Sequence, residues 1–231
     1  IRLQLTAELS KEENANFVLE KIASGVGRYS DIARDFSGSS GKLSHTLGKL
    51  EGMGLIEKDS PINASSNKRQ HRYIICDNLL DFYYTFLFRE TTARSAMSTE
   101  VFFNKKVEGQ LNNSYLPRKF EQVAAEYLVR QNRAGNIDPP FSAIGRYVYN
   151  DKARRQNGEF DVVTQDEKGL ISYECKYKKE PLGMKVVHEE EWQAKELGLN
   201  FYGFGFFSRS GFADAVDADV YKLVDLDDMY K

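Results

Sequence analysis

The stretch from Gly158 to Lys178, GEFDVVTQDEKGLISYECKYK, decides the fold. It contains two short runs rich in β-branched, aromatic and other apolar residues, 160–164 and 170–177, separated by the polar sequence QDEKG. Apolar runs of this length on either side of a Gly-containing turn predict a β-hairpin. A turn centred in QDEKG would place opposite each other the residues whose numbers sum to 335.

Charged residues occupy alternate positions in both runs of the hairpin. Residues two apart in a strand share a face, so Glu159 and Asp161 are expected to share one, as are Glu174 and Lys176. The predicted register pairs Asp161 with Glu174 and Glu159 with Lys176. Like charges on directly opposed residues destabilise a sheet, and a divalent cation such as Mg²⁺, which prefers hard oxygen ligands, would offset that repulsion. The opposite face is expected to pack on a core through Phe160, Val162, Tyr173, Cys175 and Tyr177.

A simpler interpretation fits the same spacing. The hairpin could present a solvated charged face with a Glu159–Lys176 ion pair, worth roughly 0–1 kcal/mol. The spacing alone leaves both interpretations open.

An Asp on one strand, then a short turn and Glu-x-Lys on the next, resembles the core of the PD-(D/E)XK nuclease superfamily. Asp161, Glu174 and Lys176 occupy the motif positions, and 158–161, Gly-Glu-Phe-Asp, resembles the Gly-Glu-Ile-Asp form of archaeal resolvase-like members. The resemblance implies a restriction-endonuclease-like mixed sheet flanked by helices. It also implies a further acid on a preceding helix, where Glu121 is at the matching position and Glu126 is a second candidate.

The hairpin geometry and this resemblance together suggest a catalytic site. The expected catalytic residues are Glu121, Asp161, Glu174 and Lys176. The expected cofactor is Mg²⁺ or Mn²⁺, held by the carboxylates of Asp161, Glu174 and Glu121 and by the backbone carbonyl of Cys175. Related nucleases often carry a Gln or Lys on the helix after this hairpin, and Lys185 and Gln193 are both candidates.

The N-terminal part has a different organisation. Helical patterns over 12–24 and 29–36 precede a third helix with Leu43, Leu47 and Leu50 on one side, and two short strands follow at 55–58 and 72–75. This order resembles a winged helix-turn-helix domain, which implies DNA contacts from the third helix and the wing. A winged helix used for protein contact is the alternative. The third helix is expected to present Lys42, His45, Thr46 and Lys49 outward, and the wing Lys68 and Arg69.

Residues 77–90, DNLLDFYYTFLFRE, are aromatic nearly all round, which predicts a buried helix. The order of winged helix, aromatic helix and nuclease-like fold resembles the C-terminal half of a family of archaeal and bacterial P-loop ATPases that end in a nuclease-like domain of unknown function. The expected domains are 1–76 winged helix, 77–113 helical connector and 114–231 nuclease-like domain, an α/β fold that is α+β overall. The sequence has no Gly-x-x-x-x-Gly-Lys-Ser/Thr, so the ATPase domain is expected elsewhere in the full-length chain.

Composition limits the other possibilities. The 231 residues are 41% hydrophobic and carry a net charge of −2, which argues against a uniformly basic nucleic-acid binder. The loop containing Arg154 and Arg155 could hold a phosphate backbone beside the site or be only a solvated loop. Cys76 and Cys175 are expected to be reduced core thiols of a cytoplasmic protein, and no membrane partner is expected.

The sequence therefore predicts metal-dependent phosphodiester hydrolysis, with DNA as the partner. Two alternatives remain open at this point. The nuclease-like fold could be catalytically silent and serve to dock DNA or protein, or the winged helix could make the protein a transcription regulator.

Overall fold

The structure, a computed structural model, describes residues 14–64, 66–67, 69–151 and 156–230. The chain has a mixed α+β fold and divides into two compact units. The first consists of Ile1–Ser60 and Ser65–Gly109, and the second of Pro61–Ala64 and Gln110–Lys231.

The first unit begins with three helices, α1 (Ala15–Ala23), α2 (Tyr29–Asp35) and α3 (Ser40–Gly52). An antiparallel pair of strands follows, β1 (Ile56–Asp59) and β2 (Arg72–Ile75). The leucine stripe predicted for the third helix lies in the core, since Leu43, Leu47 and Leu50 are all buried, and Val18, Leu19 and Ile32 of the two preceding helices pack in the same core.

Two sequence expectations in this unit are wrong. Thr46 does not face outward, because its hydroxyl bonds the Lys42 carbonyl (3.0 Å) and its side chain packs inward beside Leu47. Cys76 is exposed and is not a core thiol. It directly follows β2, where Ile75 is the last buried residue.

The aromatic stretch forms α4 (Asn78–Phe82), which continues into the π-helical turn Tyr83–Leu87. The Asp77 carboxylate caps α4 by accepting the Leu80 backbone N–H (2.7 Å). The chain continues through α5 (Thr91–Ala96), α6 (Thr99–Phe102), the π-turn Phe103–Val107, α7 (Glu108–Gln110), the π-turn Leu111–Tyr115 and α8 (Leu116–Arg133).

A five-stranded sheet organises the second unit. Its strands, in spatial as well as chain order, are β3 (Ala143–Asp151), β4 (Gln156–Gln165), β5 (Leu170–Lys176), β6 (Phe201–Ser208) and β7 (Lys222–Asp225). The first three strands are antiparallel, and β6 and β7 run parallel to β5. Helix α9 (Met184–Glu196) supplies the crossover from β5 to β6, and a 3₁₀ turn, Asp228–Tyr230, follows β7.

The predicted hairpin is confirmed, and its register holds for the four pairs nearest the turn, but the predicted pairs Asp161–Glu174 and Glu159–Lys176 do not belong to the observed pairing. Strands β4 and β5 pair Val162 with Tyr173 and Gln165 with Leu170. One face of the hairpin packs against Phe120, Ala124 and Leu128 of α8 through Val162, Tyr173 and Cys175.

The face of the sheet predicted for Phe160 is wrong. Phe160 packs on the opposite side of the sheet, with Ala194 of α9 and Phe201. The cause is a β-bulge: Gly145 pairs with Val163 but Tyr147 pairs with Phe160, so Asp161 and Val162 together oppose a single residue, Arg146. The extra residue reverses the alternation of β4 at the point where Asp161 lies.

Close packing between β5 and β6 requires a glycine at position 205. A Cβ there would overlap the ring of Tyr173, which is fully buried, and would lie 3.1 Å from the Lys222 carbonyl oxygen. We expect Gly205→Ala to cost about 1–3 kcal/mol in the free energy of unfolding, the usual range for overpacking a core. Urea denaturation followed by fluorescence measures the loss.

Gly203→Ala is the matched control, because a Cβ at Gly203 would meet Ile171 only at 3.6 Å or more. Equal stability of the two variants would contradict the packing argument.

Candidate active site

The site lies where two strands separate. The β4–β5 pairing ends at Val162 and Tyr173, whereas β5 stays paired with β6 as far as Lys176. The Asp161 carboxylate lies at this opening, and its Oδ2 accepts a hydrogen bond from the Cys175 backbone N–H (3.0 Å). The side chain of Asp161 thus bonds an amide of the neighbouring strand beyond the last paired residues, and this bond fixes the position of the carboxylate.

Two further carboxylates, those of Glu174 and Glu121, act on Asp161 through their charges. Burial and, to a smaller extent, the negative charges of Glu174 and Glu121 raise the pKa of Asp161 to about 8, although the Cys175 N–H and Lys176 act in the opposite direction. Glu121 comes from α8 and Glu174 from β5. Acids from three separate elements therefore interact through their charges at Asp161.

Lys176 supplies positive charge to this cluster. Its ammonium group forms an ion pair with Glu174 Oε1. Burial acts to lower the pKa of Lys176, but the carboxylates of Glu174, Asp161 and Glu190 outweigh burial and raise it. The ammonium is therefore held in its charged form among the acids.

The ion pair between Glu159 and Lys176 does not form. Glu159 instead pairs with the buried guanidinium of Arg146 (3.2 Å). Glu159 lies opposite Val148 on β3, so the bulge between Phe160 and Val163 separates it from the β5 register on which the sequence prediction relied.

Glu190 is a site residue that the sequence did not reveal. It lies on α9, is only 6% exposed, and its Oε1 accepts a hydrogen bond from the Ser172 hydroxyl (2.8 Å). Burial and the charge of Glu174 raise the pKa of Glu190 to about 8. Ser172, Glu174 and Lys176 alternate along β5, so all three lie on the face that α9 covers.

One signal in the sequence could have indicated Glu190. Val187, Glu190 and Ala194 recur at i, i+3 and i+7, so an acidic residue stands in the apolar stripe of the helix. Lys185, which was a candidate for this helix, is exposed and pairs with Glu189 (3.8 Å).

The donor set fits a divalent cation in its chemistry. Asp161, Glu174 and Glu121 offer carboxylate oxygens, the ligands that Mg²⁺ and Mn²⁺ prefer, and the Lys176 ammonium already balances part of their charge. Among the residues that the structure describes, no three His, Cys, Asp or Glu side chains converge into a ready-made metal-binding group. Burial raises the pKa of the Cys175 thiol well above its usual value, so Cys175 could contribute only its carbonyl.

The residues expected to bind DNA are exposed where the structure describes them. Lys42, His45 and Lys49 are exposed on α3, and Arg69 is exposed in the loop between β1 and β2. The positions of Lys68, Arg154 and Arg155 lie outside the described residues.

Part of the loop between β1 and β2 is bound to β3 within the second unit. The Ile62 N–H donates to the Arg146 carbonyl (2.9 Å). The Asn63 side-chain amide donates to the Val148 carbonyl (2.7 Å) and accepts the Val148 N–H (3.1 Å). This stretch of the expected wing is therefore occupied by protein contacts.

In the described part of the chain, no helix combines the length and the apolar character that crossing a membrane requires.

Comparisons with known proteins give an uncharacterized relative, a solved structure and a family of unknown function. The uncharacterized protein MJECL04 of Methanocaldococcus jannaschii is 27% identical over 187 residues, 80% of this chain and 41% of that protein. The chain thus spans less than half of that relative. The crystal structure of protein VC1899 from Vibrio cholerae aligns with 98% of this chain and 50% of its own, with 12% identity and a TM-score of 0.37. Residues 83–194 match the sequence profile of the DUF234 family, described as archaeal and bacterial proteins of unknown function.

Proposed function

We propose that the second unit is a PD-(D/E)XK-type module that hydrolyses phosphodiester bonds in DNA with the help of Mg²⁺ or Mn²⁺. One observation carries the proposal: the Asp161 carboxylate, fixed by the Cys175 N–H, lies within the electrostatic reach of Glu174, Glu121 and Lys176. A partly buried cluster of like charges is costly for folding. Such clusters are retained at functional sites, where perturbed pKa values concentrate.

The cation would be held by Asp161, Glu174, Glu121 and the Cys175 carbonyl. Bound there, it would supply a water of lowered pKa and a Lewis acid for a phosphate oxygen.

The chain's own residues carry the remaining roles. Lys176 presents an ammonium that would stabilise the negative charge growing on the phosphate oxygens in the transition state. The hydrogen bond from the Cys175 N–H to Asp161 Oδ2 would hold the Asp161 carboxylate in place for the cation. Glu190, anchored on Ser172, helps to retain the Lys176 ammonium once its own carboxyl is ionised, which the raised pKa of Glu190 delays to about pH 8.

The other parts of the proposal concern the partners. Three helices followed by a two-stranded antiparallel sheet support a winged helix in the first unit, with Lys42, His45 and Lys49 exposed for phosphate contacts. A P-loop ATPase domain in the same full-length chain is the proposed partner, and a cytoplasmic location follows from that role. The relative that this chain matches over 41% of its length leaves room for such a domain.

Calorimetric titration with Mg²⁺ and Mn²⁺ tests the cation site. We expect the wild-type protein to bind one cation and Glu174→Gln to weaken that binding about a hundredfold or more. Loss of a residue that only supports a metal ligand typically lowers metal affinity about 10–100-fold, and Glu174→Gln removes a ligand itself. Glu167→Gln, in the exposed hairpin turn, removes the same charge outside the site and should bind as the wild type does.

A wild-type protein that takes up no cation would remove the catalytic proposal. The second unit would then be a nuclease-like fold that docks DNA or protein.

A further inference from the structure

Arg209 lies beside the candidate active site. Strands β5 and β6 are parallel, so their carboxyl ends meet at one edge of the sheet. Arg209 directly follows β6, and its backbone N–H donates to the carbonyl of Lys176 (3.0 Å). An arginine is thus tied, through its main chain, to the residue that supplies the site's ammonium group.

The turn that carries Arg209 is held firmly. The Ser210 hydroxyl donates to the Lys178 carbonyl (2.7 Å), and the Leu182 N–H donates to the Gly211 carbonyl (3.0 Å). Gly211 adopts a φ of 72°, a left-handed conformation that other residues rarely tolerate. A ligand bound here would therefore pay little to order the backbone.

The side chain of Arg209 is oriented by an aromatic ring. The guanidinium carbon lies 4.6 Å from the centre of the Tyr177 ring, and a planar guanidinium placed in this way is attracted to the ring face. Tyr177 itself packs against Phe120 of the core (5.6 Å between ring centres), which fixes the platform. Because Arg209 covers the ring, Tyr177 is not free to stack on a nucleic-acid base.

The charge of Arg209 has no counter-ion among the described residues. Other arginines of this chain do have one: Arg146 pairs with Glu159 and Arg72 with Asp59. The neighbouring residues Lys178 and Lys179 are exposed and add to the positive charge at this edge. An ordered guanidinium with open donors is suited to an anion with several oxygens, and phosphate is the anion that its fork geometry matches.

We propose that Arg209, stacked on Tyr177, binds a backbone phosphate of the nucleic acid and so positions the strand beside Lys176. This inference rests on the proposed function, because it names the residue that would align the substrate of the same site. The proposed phosphate contact thus lies directly after the C-terminal end of β6, and its residue is not one of the acids that would hold a cation.

The test is the binding of a fluorescently labelled 20-mer duplex, measured by anisotropy over a range of salt concentrations in the presence of a chelator. We expect Arg209→Gln to weaken binding about tenfold at low salt and to reduce the slope of log K against log salt by about one, the signature of one lost phosphate contact. Arg209→Lys should recover part of the affinity, since it keeps the charge without the fork. Arg133→Gln, on the exposed side of α8, is the matched control and should bind like the wild type.

Cation titration of the same variants separates the two proposals. Arg209→Gln should bind Mn²⁺ like the wild type, which also shows that its fold is intact. If Arg209→Gln binds the cation normally and keeps the duplex affinity and salt slope of the wild type, the phosphate contact is overturned. The proposed function is not affected by that result. If Arg209→Gln lowers the duplex affinity and the salt slope but the wild type binds no cation, the phosphate contact is supported and the catalytic proposal is overturned. A wild type that binds no duplex overturns the contact.

Discussion

Asp161→Ala and Lys176→Ala are each expected to lower Mn²⁺-dependent cleavage of DNA by at least about a thousandfold. Each removes several kcal/mol of transition-state stabilisation, and every 1.36 kcal/mol corresponds to a factor of ten in rate. The measurement is single-turnover cleavage of supercoiled plasmid and of labelled duplex, single-stranded and branched substrates. Several DNA forms are needed because the site's geometry does not select among them.

The two variants should fail for different reasons, and calorimetry distinguishes them. Asp161→Ala removes a proposed cation ligand and should lose Mn²⁺ binding together with cleavage. Lys176→Ala removes an ammonium that forms an ion pair with Glu174. A cation would compete with that ammonium for the same carboxylate, so Lys176→Ala should bind Mn²⁺ as tightly as the wild type or more tightly while cleavage is lost.

Lys168→Ala is the control for Lys176→Ala, since it removes the same positive charge from an exposed position in the hairpin turn. Cleavage that persists in both Asp161→Ala and Lys176→Ala would place the activity outside this site. A Lys176→Ala protein that loses cation affinity would contradict the competition described here.

Local sequence pattern was sufficient for much of this site. The turn QDEKG predicts the register of the four residue pairs next to it, from Gln165–Leu170 to Val162–Tyr173, but the strand pairing ends there, before Asp161 and Glu174. The wrong face assigned to Phe160 has a physical origin. Period-two alternation assumes that every residue of β4 has one partner, whereas the bulge opposite Arg146 depends on β3, a strand more than ten residues away.

Glu190 illustrates a different limit. Its partner Ser172 lies in the hairpin, but Glu190 is 18 residues further along the chain and outside it. Only the crossover that lays α9 over β5 brings the two together. Likewise, no local pattern indicates that Arg209 would lie over Tyr177, because that contact depends on the parallel pairing of β5 and β6. Pairings between distant elements therefore account for what the sequence alone does not predict.

The stability of the second unit is expected to fall as the pH rises from about 5 to about 9. The folded-state pKa of Asp161 and of Glu190 is raised to about 8, against ordinary values of 3.8 and 4.5. Between these limits the folded state retains protons that the unfolded state has released, so the free energy of unfolding decreases with increasing pH. The stabilising contribution is complete below about pH 4 and is lost as the pH passes through 8.

Asp161→Asn and Glu190→Gln should flatten this pH dependence, because a neutral amide fits each position without an ionisation cost. Asn can still accept the Cys175 N–H. At pH 9 each variant should exceed the wild type in unfolding free energy by on the order of 2 kcal/mol, and at pH 5 the difference should be small. Urea denaturation with a chelator present, followed through the single tryptophan, Trp192 of α9, reports on the second unit.

Glu189→Gln, one residue away on the exposed side of α9, is the control and should run parallel to the wild type at every pH. If the unfolding free energy of the wild type instead rises between pH 5 and pH 9, ionisation of these two acids does not destabilise the folded protein. Adding Mn²⁺ at pH 9 should stabilise the wild type and leave Asp161→Asn unchanged, because a bound cation would offset the repulsion that the variant has already removed. This result would show that the carboxylates that destabilise the protein at high pH are also those that bind the cation.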